Sequence, residues 1–266
     1  MYSLLLTCTA EEADLLSGEL WEAGTAGVQE IEQGEKRILI ASFEGNKSRA
    51  NLVAQFTRYS PRWQHTEAMD WVEHTRLAWP GVSIGMRLFL APPWSRDLTP
   101  AGRERIVHNP GLACGTGEHP CTQLALMALE KCITPGCRVV DVGTGSGILA
   151  IAALRLAAEM GVGVDTDTAA FGTAAENFRL NDFTPALVTG SAECLASGCS
   201  DVTVANLCGT VLLSIMDELI RITRANGYLI LTGFPESEVD TFRRIFPDAE
   251  VSQMGEWHCL VVVRPS

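Results

Sequence analysis

Three glycines in five residues stand between a short apolar strand and an apolar helix in the sequence: Gly143, Gly145 and Gly147. Glycine adopts positive φ and lets the backbone approach a ligand, and a helix N-terminus offers unpaired N–H groups to it. A dinucleotide site has the spacing GxGxxG, whereas here Ile148 stands where the third glycine would be. The motif counts against NAD and favours a ligand without a pyrophosphate.

An acidic residue ends each of the two predicted strands next to this turn. Asp141 precedes the glycines, and Asp165 ends the following strand. Doubly wound folds place an acid on a ribose roughly 20 residues further on, and Asp165 lies close to that interval. We predict that Asp165 accepts from ribose hydroxyls, with Thr166 beside it in the same site. The alternative is that Asp165 or Asp167 only caps the next helix, a role expected of Asp167.

The glycine turn and the spaced acid together resemble the class I S-adenosylmethionine-dependent methyltransferases over residues 139–263. The resemblance implies S-adenosylmethionine as the cofactor. Asp141 would face its amino-acid end. Ala192, between Ser191 and Glu193, would contact the adenine.

A second cluster of candidate residues runs from Asn109 to Thr122, with glycines at 111, 115 and 117, just before a predicted helix Cys121–Lys131. The glycine density predicts a backbone that folds tightly over the cofactor, and the alternative is a loop with a helix cap. The residues assigned to the cofactor site from this cluster are Thr116, Gly117, His119 and Thr122. His119 is expected to cover the cofactor, so that its loss would weaken cofactor binding.

This cluster closely resembles the segment PGLAFGTGxHxTT of a bacterial ribosomal protein methyltransferase family (PrmA), which methylates amino groups of the stalk-base protein of the large ribosomal subunit. Residues 70–72, 85–88 and 93–94 are similar to its linker, and Asn206-Leu207 is similar to its Asn-Ile/Leu element. The resemblance implies a ferredoxin-like N-terminal domain that grips the protein substrate. Cys114 replaces the family's Phe, which removes an aromatic contact over the cofactor, and Cys121 replaces its first Thr.

Hydrophobic periodicity divides the chain into three regions. Residues 1–68 follow the order β-α-β-β-α-β of a ferredoxin-like α+β domain, with strands and helices at 3–9, 10–23, 27–32, 36–43, 46–56 and 63–67. Residues 69–105 form a linker region with a helix at 70–78, a strand at 87–91 and a loop at 95–105. Residues 106–266 alternate strands and helices, with helices expected at 168–180 and 210–224 among them. This predicts an α/β Rossmann-like domain with a mainly parallel seven-stranded sheet and an antiparallel last pair.

Composition limits the classes of function. A hydrophobic content of 47% in 266 residues suits domains with real cores, and a net charge of -12 disfavours direct nucleic-acid binding. Nine Cys without a CxxC pair predict neither a metal site nor a disulfide framework. The apolar N-terminus and residues 147–158 are too short for a signal peptide or a membrane span. We expect a cytoplasmic, monomeric enzyme whose partner is a basic ribosomal protein.

Methyl transfer to an amine would require the protein mainly to bind, orient and exclude water. The amine can lose its proton to solvent or on entering a less polar site, so no dedicated base is required. Asn206 follows the predicted strand 201–205. Its side-chain oxygen is predicted to accept from the amine and to orient it, and the alternative is a helix cap.

Three functions compete on the sequence alone. The first is a protein amine methyltransferase acting on a ribosomal protein. The second is a methyltransferase of the same fold with another protein or a small-molecule target, because fold alone does not choose the substrate. The third is a non-catalytic binding protein with a degenerate cofactor pocket.

Overall fold

The structure, a computed structural model, describes residues 2–25, 27–33, 36–43, 49–65, 80–109, 117 and 119–266. The chain folds into two compact units, residues 1–75 and 76–266. The domain boundaries predicted at 68 and 105 stay predictions. Thr116, most of the glycine cluster before it and the predicted helix 70–78 lie outside the described residues.

The first unit is a four-stranded antiparallel sheet with helices, in the strand order β2-β3-β1-β4. Its elements are β1 (Tyr2–Thr9), α1 (Ala10–Glu22), β2 (Gly27–Gln33), β3 (Lys36–Phe43), α2 (Arg49–Gln55) and β4 (Arg62–His65). Leu4, Leu16 and Phe56 are fully buried in its core. Thr9 and Glu12 form a capping box at the start of α1, which explains why the helix begins there. The predicted ferredoxin-like order is confirmed.

The second unit begins with a small three-stranded sheet. Its strands are β5 (Val82–Ile84), β6 (Leu88–Ala91) and β7 (Glu104–Val107), with β5 antiparallel and β7 parallel to β6. The loop prediction for 95–105 is wrong at its end, because β7 already begins at Glu104. The start of β7 could not be recognised from the sequence, because the polar run that precedes it contains Pro100 and Gly102, which are typical of a loop.

Two side chains form hydrogen bonds with the backbone of the β5–β6 turn. Glu130 accepts backbone N–H groups of Met86, Arg87 and Leu88 at 2.8, 2.8 and 3.0 Å. Arg103 donates to the carbonyls of residues 84, 85 and 88 at 3.0, 2.9 and 2.8 Å. The turn therefore has its donors and its acceptors satisfied by one carboxylate and one guanidinium.

We expect Glu130→Ala to lower the free energy of unfolding by about 1–3 kcal/mol, because three N–H groups lose a charged acceptor. Glu130→Gln keeps the shape and one acceptor oxygen, so its loss should be smaller. Urea unfolding of both variants measures the effect. An unchanged midpoint and slope for Glu130→Ala would show that solvent replaces the carboxylate without cost.

The large sheet has seven strands in the order β10-β9-β8-β11-β12-β14-β13. The strands are β8 (Arg138–Val142), β9 (Met160–Asp165), β10 (Leu187–Thr189), β11 (Ser200–Asn206), β12 (Thr223–Pro235), β13 (Glu250–Met254) and β14 (Trp257–Val263). The helices are α3 (Pro120–Cys132), α4 (Ile148–Arg155), α5 (Ala170–Leu180), α6 (Gly209–Ser214), α7 (Met216–Ile222) and α8 (Glu236–Ile245). Only β14 pairs antiparallel with its neighbours β12 and β13, as predicted. Val139 and Val142 are buried on opposite faces of β8, as a covered parallel sheet requires.

The single long helix predicted over 210–224 is wrong, because the structure has α6 and α7 with a break at Ile215. The Ser214 hydroxyl donates to the Val211 carbonyl at 2.7 Å. The same carbonyl also accepts from the Ile215 N–H at 3.2 Å, and a side-chain bond of this kind often bends a helix. Across the described residues, no helix has the length and apolar character needed to span a bilayer.

Candidate active site

A cavity of about 1150 Å³ opens at the carboxyl ends of β8, β9 and β11, the edge where open α/β sheets bind ligands. Its lining includes six of the residues predicted for the cofactor site: His119, Thr122, Gly143, Gly145, Asp165 and Asn206. The sheet order explains the convergence, because β8 lies between β9 and β11 and all three run parallel.

Gly143, Gly145 and Gly147 have φ values of 75°, 50° and 81°, so the turn relies on their conformational freedom. The N–H groups of Gly143 and Thr144 both bond to the Val164 carbonyl, at 2.8 and 3.0 Å. A Cβ at Gly143 would meet the Leu207 side chain at 2.4 Å. The glycines therefore allow the turn to lie between β9 and the segment after β11.

Asp165 reaches across to the glycine turn. Its Oδ2 accepts from the Gly145 N–H at 2.9 Å, and its Oδ1 accepts from the Asp167 N–H at 3.0 Å. Asp167 in turn accepts from the Ala169 N–H at 2.9 Å, just before α5 begins at Ala170. Asp167 therefore organises the start of α5, while Asp165 links the end of β9 to the turn.

Asp141 lies beneath the turn and is fully buried. Thr144 donates to its Oδ2 at 2.7 Å, and Oδ1 has no hydrogen-bond partner among the described residues. Burial raises the pKa of Asp141 to about 7, with the Thr144 hydrogen bond acting in the opposite direction. Asp141 is not among the residues that line the cavity, so its contact with the turn is through Thr144.

The raised pKa gives Asp141 a predictable effect on stability. The carboxyl of the unfolded chain loses its proton near pH 3.9, whereas the folded carboxyl holds it up to about pH 7. The contribution of this group to the free energy of unfolding is therefore largest at low pH and falls as the pH rises from about 4 to about 7.

We expect the wild type to lose stability relative to Asp141→Asn between pH 5 and pH 8, since asparagine does not titrate. Urea unfolding at both pH values checks this, and Asp167→Asn, at an exposed carboxylate, corrects for general charge effects. A difference that is the same at both pH values would contradict the assignment.

Asn206 ends β11 and lies beside the first turn of α3. Its Nδ2 donates to the hydroxyl of the buried Thr122 at 3.3 Å. Among the described residues, no side-chain donor bonds to its Oδ1, and Asn206 lines the cavity. The N-cap of α6 is Cys208, so the helix-cap alternative for Asn206 is wrong.

His119 is the N-cap of α3, where its Nδ1 accepts from the Cys121 N–H at 3.3 Å. The imidazole ring packs edge-on against Trp257, with 5.0 Å between ring centroids. His119 and Trp257 therefore form one wall of the cavity.

Four further predicted residues that the structure describes are not among the lining residues of the cavity. Gly147 is the N-cap of α4, and Gly117 has φ of 78° and faces the Leu90 side chain. Thr166 is exposed, and Ala192 is fully buried with its carbonyl accepting from Arg221 at 3.1 Å.

Sequence reasoning missed Trp257, Cys208 and Gly233, which also line the cavity. Gly233 follows the part of β12 that pairs with β11, so its place at the carboxyl edge was a usable signal. Trp257 starts β14, and only the antiparallel direction of that strand brings its first residue to this edge.

The lining carries two carboxylates, of Asp165 and Asp167, and no Lys or Arg among the described residues. Such a wall favours a cationic ligand. Within the described part of the chain, no group of three His, Cys, Asp or Glu could hold a metal ion.

Comparison with known proteins gives one consistent family. The family model described as ribosomal protein L11 methyltransferase (PrmA) matches residues 2–265. A ribosomal protein L11 methyltransferase of Lactococcus lactis subsp. cremoris is 30% identical over 97% of this chain and 94% of its own length. That of Geobacter sulfurreducens is 36% identical over 88% and 83%.

A solved structure, titled ribosomal protein L11 methylase from Lactobacillus delbrueckii subsp. bulgaricus, is also similar. It has a TM-score of 0.64 and 28% identity, covering 71% of this chain and 100% of that one. The match of the family model over nearly the whole chain decides the assignment. The chain belongs to the PrmA family of ribosomal protein L11 methyltransferases, which are S-adenosylmethionine-dependent protein methyltransferases.

Proposed function

We propose that this chain transfers methyl groups from S-adenosylmethionine to amino groups, of a lysine side chain or an N-terminus, in ribosomal protein L11. The observation that carries the proposal is that the glycine turn, Asp165 and Asn206 line the same cavity. A cofactor held by the first two would present its methyl group near the third. The names of the relatives support L11 as the substrate.

The lining residues fit the cofactor by their chemistry. Asp165 offers carboxylate oxygens to two ribose hydroxyls. The glycines at 143 and 145 let the cofactor approach the backbone of the turn closely. The acidic wall suits a ligand with a sulfonium and an ammonium group. When bound, S-adenosylmethionine supplies an electrophilic methyl group on its sulfonium.

Two predicted site residues that do not line the cavity stabilise the glycine turn through hydrogen bonds with Thr144. Asp141 holds Thr144, and Gly147 starts α4 with its N–H bonded to the Thr144 carbonyl at 2.8 Å. We assign Thr116, Gly117, Thr166 and Ala192 to the cofactor site on the family resemblance.

Asn206 orients the incoming amine. Its Nδ2 is engaged by Thr122, so the amide plane is fixed and Oδ1 is left as an acceptor. An amine that donates one N–H to Oδ1 keeps its lone pair on another side of the nitrogen, where it can point at the methyl group. Trp257 and His119 exclude water from that side, and an indole face also attracts a cationic ammonium group.

The first unit is proposed to recognise the protein substrate. All the described lining residues of the cavity belong to the second unit, which leaves the first unit available for recognition of the substrate. Trp21 is 55% exposed and Ile31 is 41% exposed on the first unit. Exposed aromatic and aliphatic side chains are frequent in protein interfaces, and the net charge of -12 complements a basic partner.

A chain that begins at Arg76 should bind S-adenosylmethionine with a Kd within a few-fold of the full chain but lose methylation of L11. The reason is that the cavity lies in the second unit, while the recognition surface lies in the first. Calorimetric titration and labelled-methyl transfer measure the two properties, with circular dichroism as the control for folding. Loss of cofactor binding in a folded truncated chain would contradict this division of roles.

The substrate assignment is tested with an equimolar mixture of purified large-subunit ribosomal proteins and methyl-labelled S-adenosylmethionine. We expect the label in L11, on amino groups identified by mass mapping. Label in another protein would replace the substrate and keep the reaction. No label in any protein, with measurable cofactor binding, would overturn the proposed reaction on ribosomal proteins.

A further inference from the structure

Two asparagines lie on the inward-packed side of α5, Asn177 within the helix and Asn181 as its C-cap. Asn177 and Asn181 are fully buried, as are Ala174 and Phe178 on the same face. The spacing 174, 177, 178, 181 is that of one helix face. A buried amide is costly unless its donors and its acceptor are all satisfied, so each asparagine must have specific partners.

The side-chain amide of Asn181 bonds to both the N–H and the carbonyl of one residue in β7, as the backbone of a neighbouring strand does. Its Oδ1 accepts from the Val107 N–H at 2.9 Å, and its Nδ2 donates to the Val107 carbonyl at 2.6 Å. The Nδ2 also donates to the Asn177 carbonyl at 2.8 Å. All these partners lie in β7 or in α5 itself, so Asn181 joins the helix to the end of that strand.

Asn177 makes the same pair of bonds two residues further along the chain, but its third bond goes to the glycine turn. Its Oδ1 accepts from the Asn109 N–H at 2.8 Å, and its Nδ2 donates to the Asn109 carbonyl at 2.9 Å. The Nδ2 also donates to the carbonyl of Ser146 at 2.9 Å. Ser146 lies inside the glycine turn, so this one amide joins the turn to the chain that leaves β7.

The Ser146 carbonyl belongs to a peptide unit with glycines on both sides of its residue. It is flanked by Gly145 and Gly147, both with positive φ. Glycines on both sides permit rotation of the peptide units between them, because no Cβ restricts it. The Gly145 N–H bonds to Asp165, and the Gly147 N–H bonds to the Thr144 carbonyl. A fixed Ser146 carbonyl therefore helps to keep the N–H groups of Gly145 and Gly147 oriented toward these two acceptors.

We propose that Asn177 is a positioning residue of the cofactor site, which acts by fixing the Ser146 carbonyl and with it the shape of the glycine turn. The proposal rests on the proposed function, since the ligand whose affinity it controls is S-adenosylmethionine. Asn177 does not line the cavity, so it acts through the residues that it bonds, which are Ser146 in the turn and Asn109 after β7. Its effect should fall on cofactor affinity and leave the methyl-transfer step largely unchanged.

Asn181 provides a matched control. Asn177→Asp and Asn181→Asp each retain an acceptor for a backbone N–H and lose the donations of Nδ2. Both place a carboxylate at a fully buried position, within α5 at 177 and at its C-cap at 181. Only Asn177→Asp removes a bond to the glycine turn. The pair Asn177→Ser and Asn181→Ser makes the same comparison without a charge, if either aspartate variant fails to fold.

The test is calorimetric titration of the full chain and its variants with S-adenosylmethionine, with L11 methylation measured at saturating cofactor. We expect Asn177→Asp to raise the Kd by at least tenfold over Asn181→Asp, with kcat within about threefold between them. Equal losses of affinity in the two variants, or no loss in either, would overturn the proposal. Failure of the wild type to bind S-adenosylmethionine would instead remove the proposed function.

Discussion

Replacement of Asn206 by alanine is expected to lower kcat for methyl transfer by about 100-fold or more, with the Kd for S-adenosylmethionine changed by less than about tenfold. The amide oxygen is the acceptor at the end of β11 that can orient the incoming amine. Without it, the amine enters the cavity in many orientations, of which few direct a lone pair at the methyl group. Steady-state kinetics with L11 and a separate cofactor titration measure the two effects.

Thr122 supplies the control for this prediction, because its hydroxyl accepts from the Asn206 amide. Thr122→Val removes that acceptor at similar volume, so kcat should fall, but by less than in Asn206→Ala. Thr122→Ser keeps the hydroxyl and should restore most of the activity. Full turnover in Asn206→Ala would remove Asn206 from the mechanism.

Replacement of Asp165 by alanine is expected to weaken S-adenosylmethionine binding by about 100-fold, because charge-assisted hydrogen bonds contribute roughly 1.5–3 kcal/mol each. The variant would lose the acceptors proposed for the ribose and also the bond from the Gly145 N–H. At saturating cofactor, kcat should change far less than affinity. Calorimetric titration and kinetics over a wide range of cofactor concentration separate the two.

Asp167 is the matched control, since it also lines the cavity but bonds to the backbone of Ala169. Asp167→Ala should change the Kd by no more than a few-fold and act mainly on the start of α5. Equal losses of affinity in the two variants would mean that the acidic wall attracts the cofactor only by its overall charge. A Kd unchanged in Asp165→Ala would exclude the ribose contact.

The sequence reveals those site residues that follow parallel strands. Gly143 follows β8, while Asp165 and Asn206 are the last residues of β9 and β11. The carboxyl ends of parallel strands meet at one edge of the sheet, where these residues line the cavity. Trp257 could not be found in this way, because it lies at the amino end of a strand that runs antiparallel. Its position depends on the strand order, which local sequence patterns do not specify.

Side-chain competition with the backbone also limits prediction. Periodicity predicted the helix over 168–180 but could not tell that Asn177 is buried, because an asparagine ordinarily indicates an exposed position. The break at Ile215 between α6 and α7 lies next to a local side-chain bond of Ser214, which apolar periodicity does not reveal. In the first unit, by contrast, capping and alternation agree, and the ferredoxin-like order could be predicted from sequence.

The most direct test of the account is transfer of labelled methyl from S-adenosylmethionine to isolated L11, with the wild type and Asn206→Ala assayed in parallel. The account predicts label on amino groups of L11 with the wild type, and a rate lower by about 100-fold or more with Asn206→Ala although the variant still binds the cofactor. Cofactor binding by the wild type without any label in L11 would contradict it.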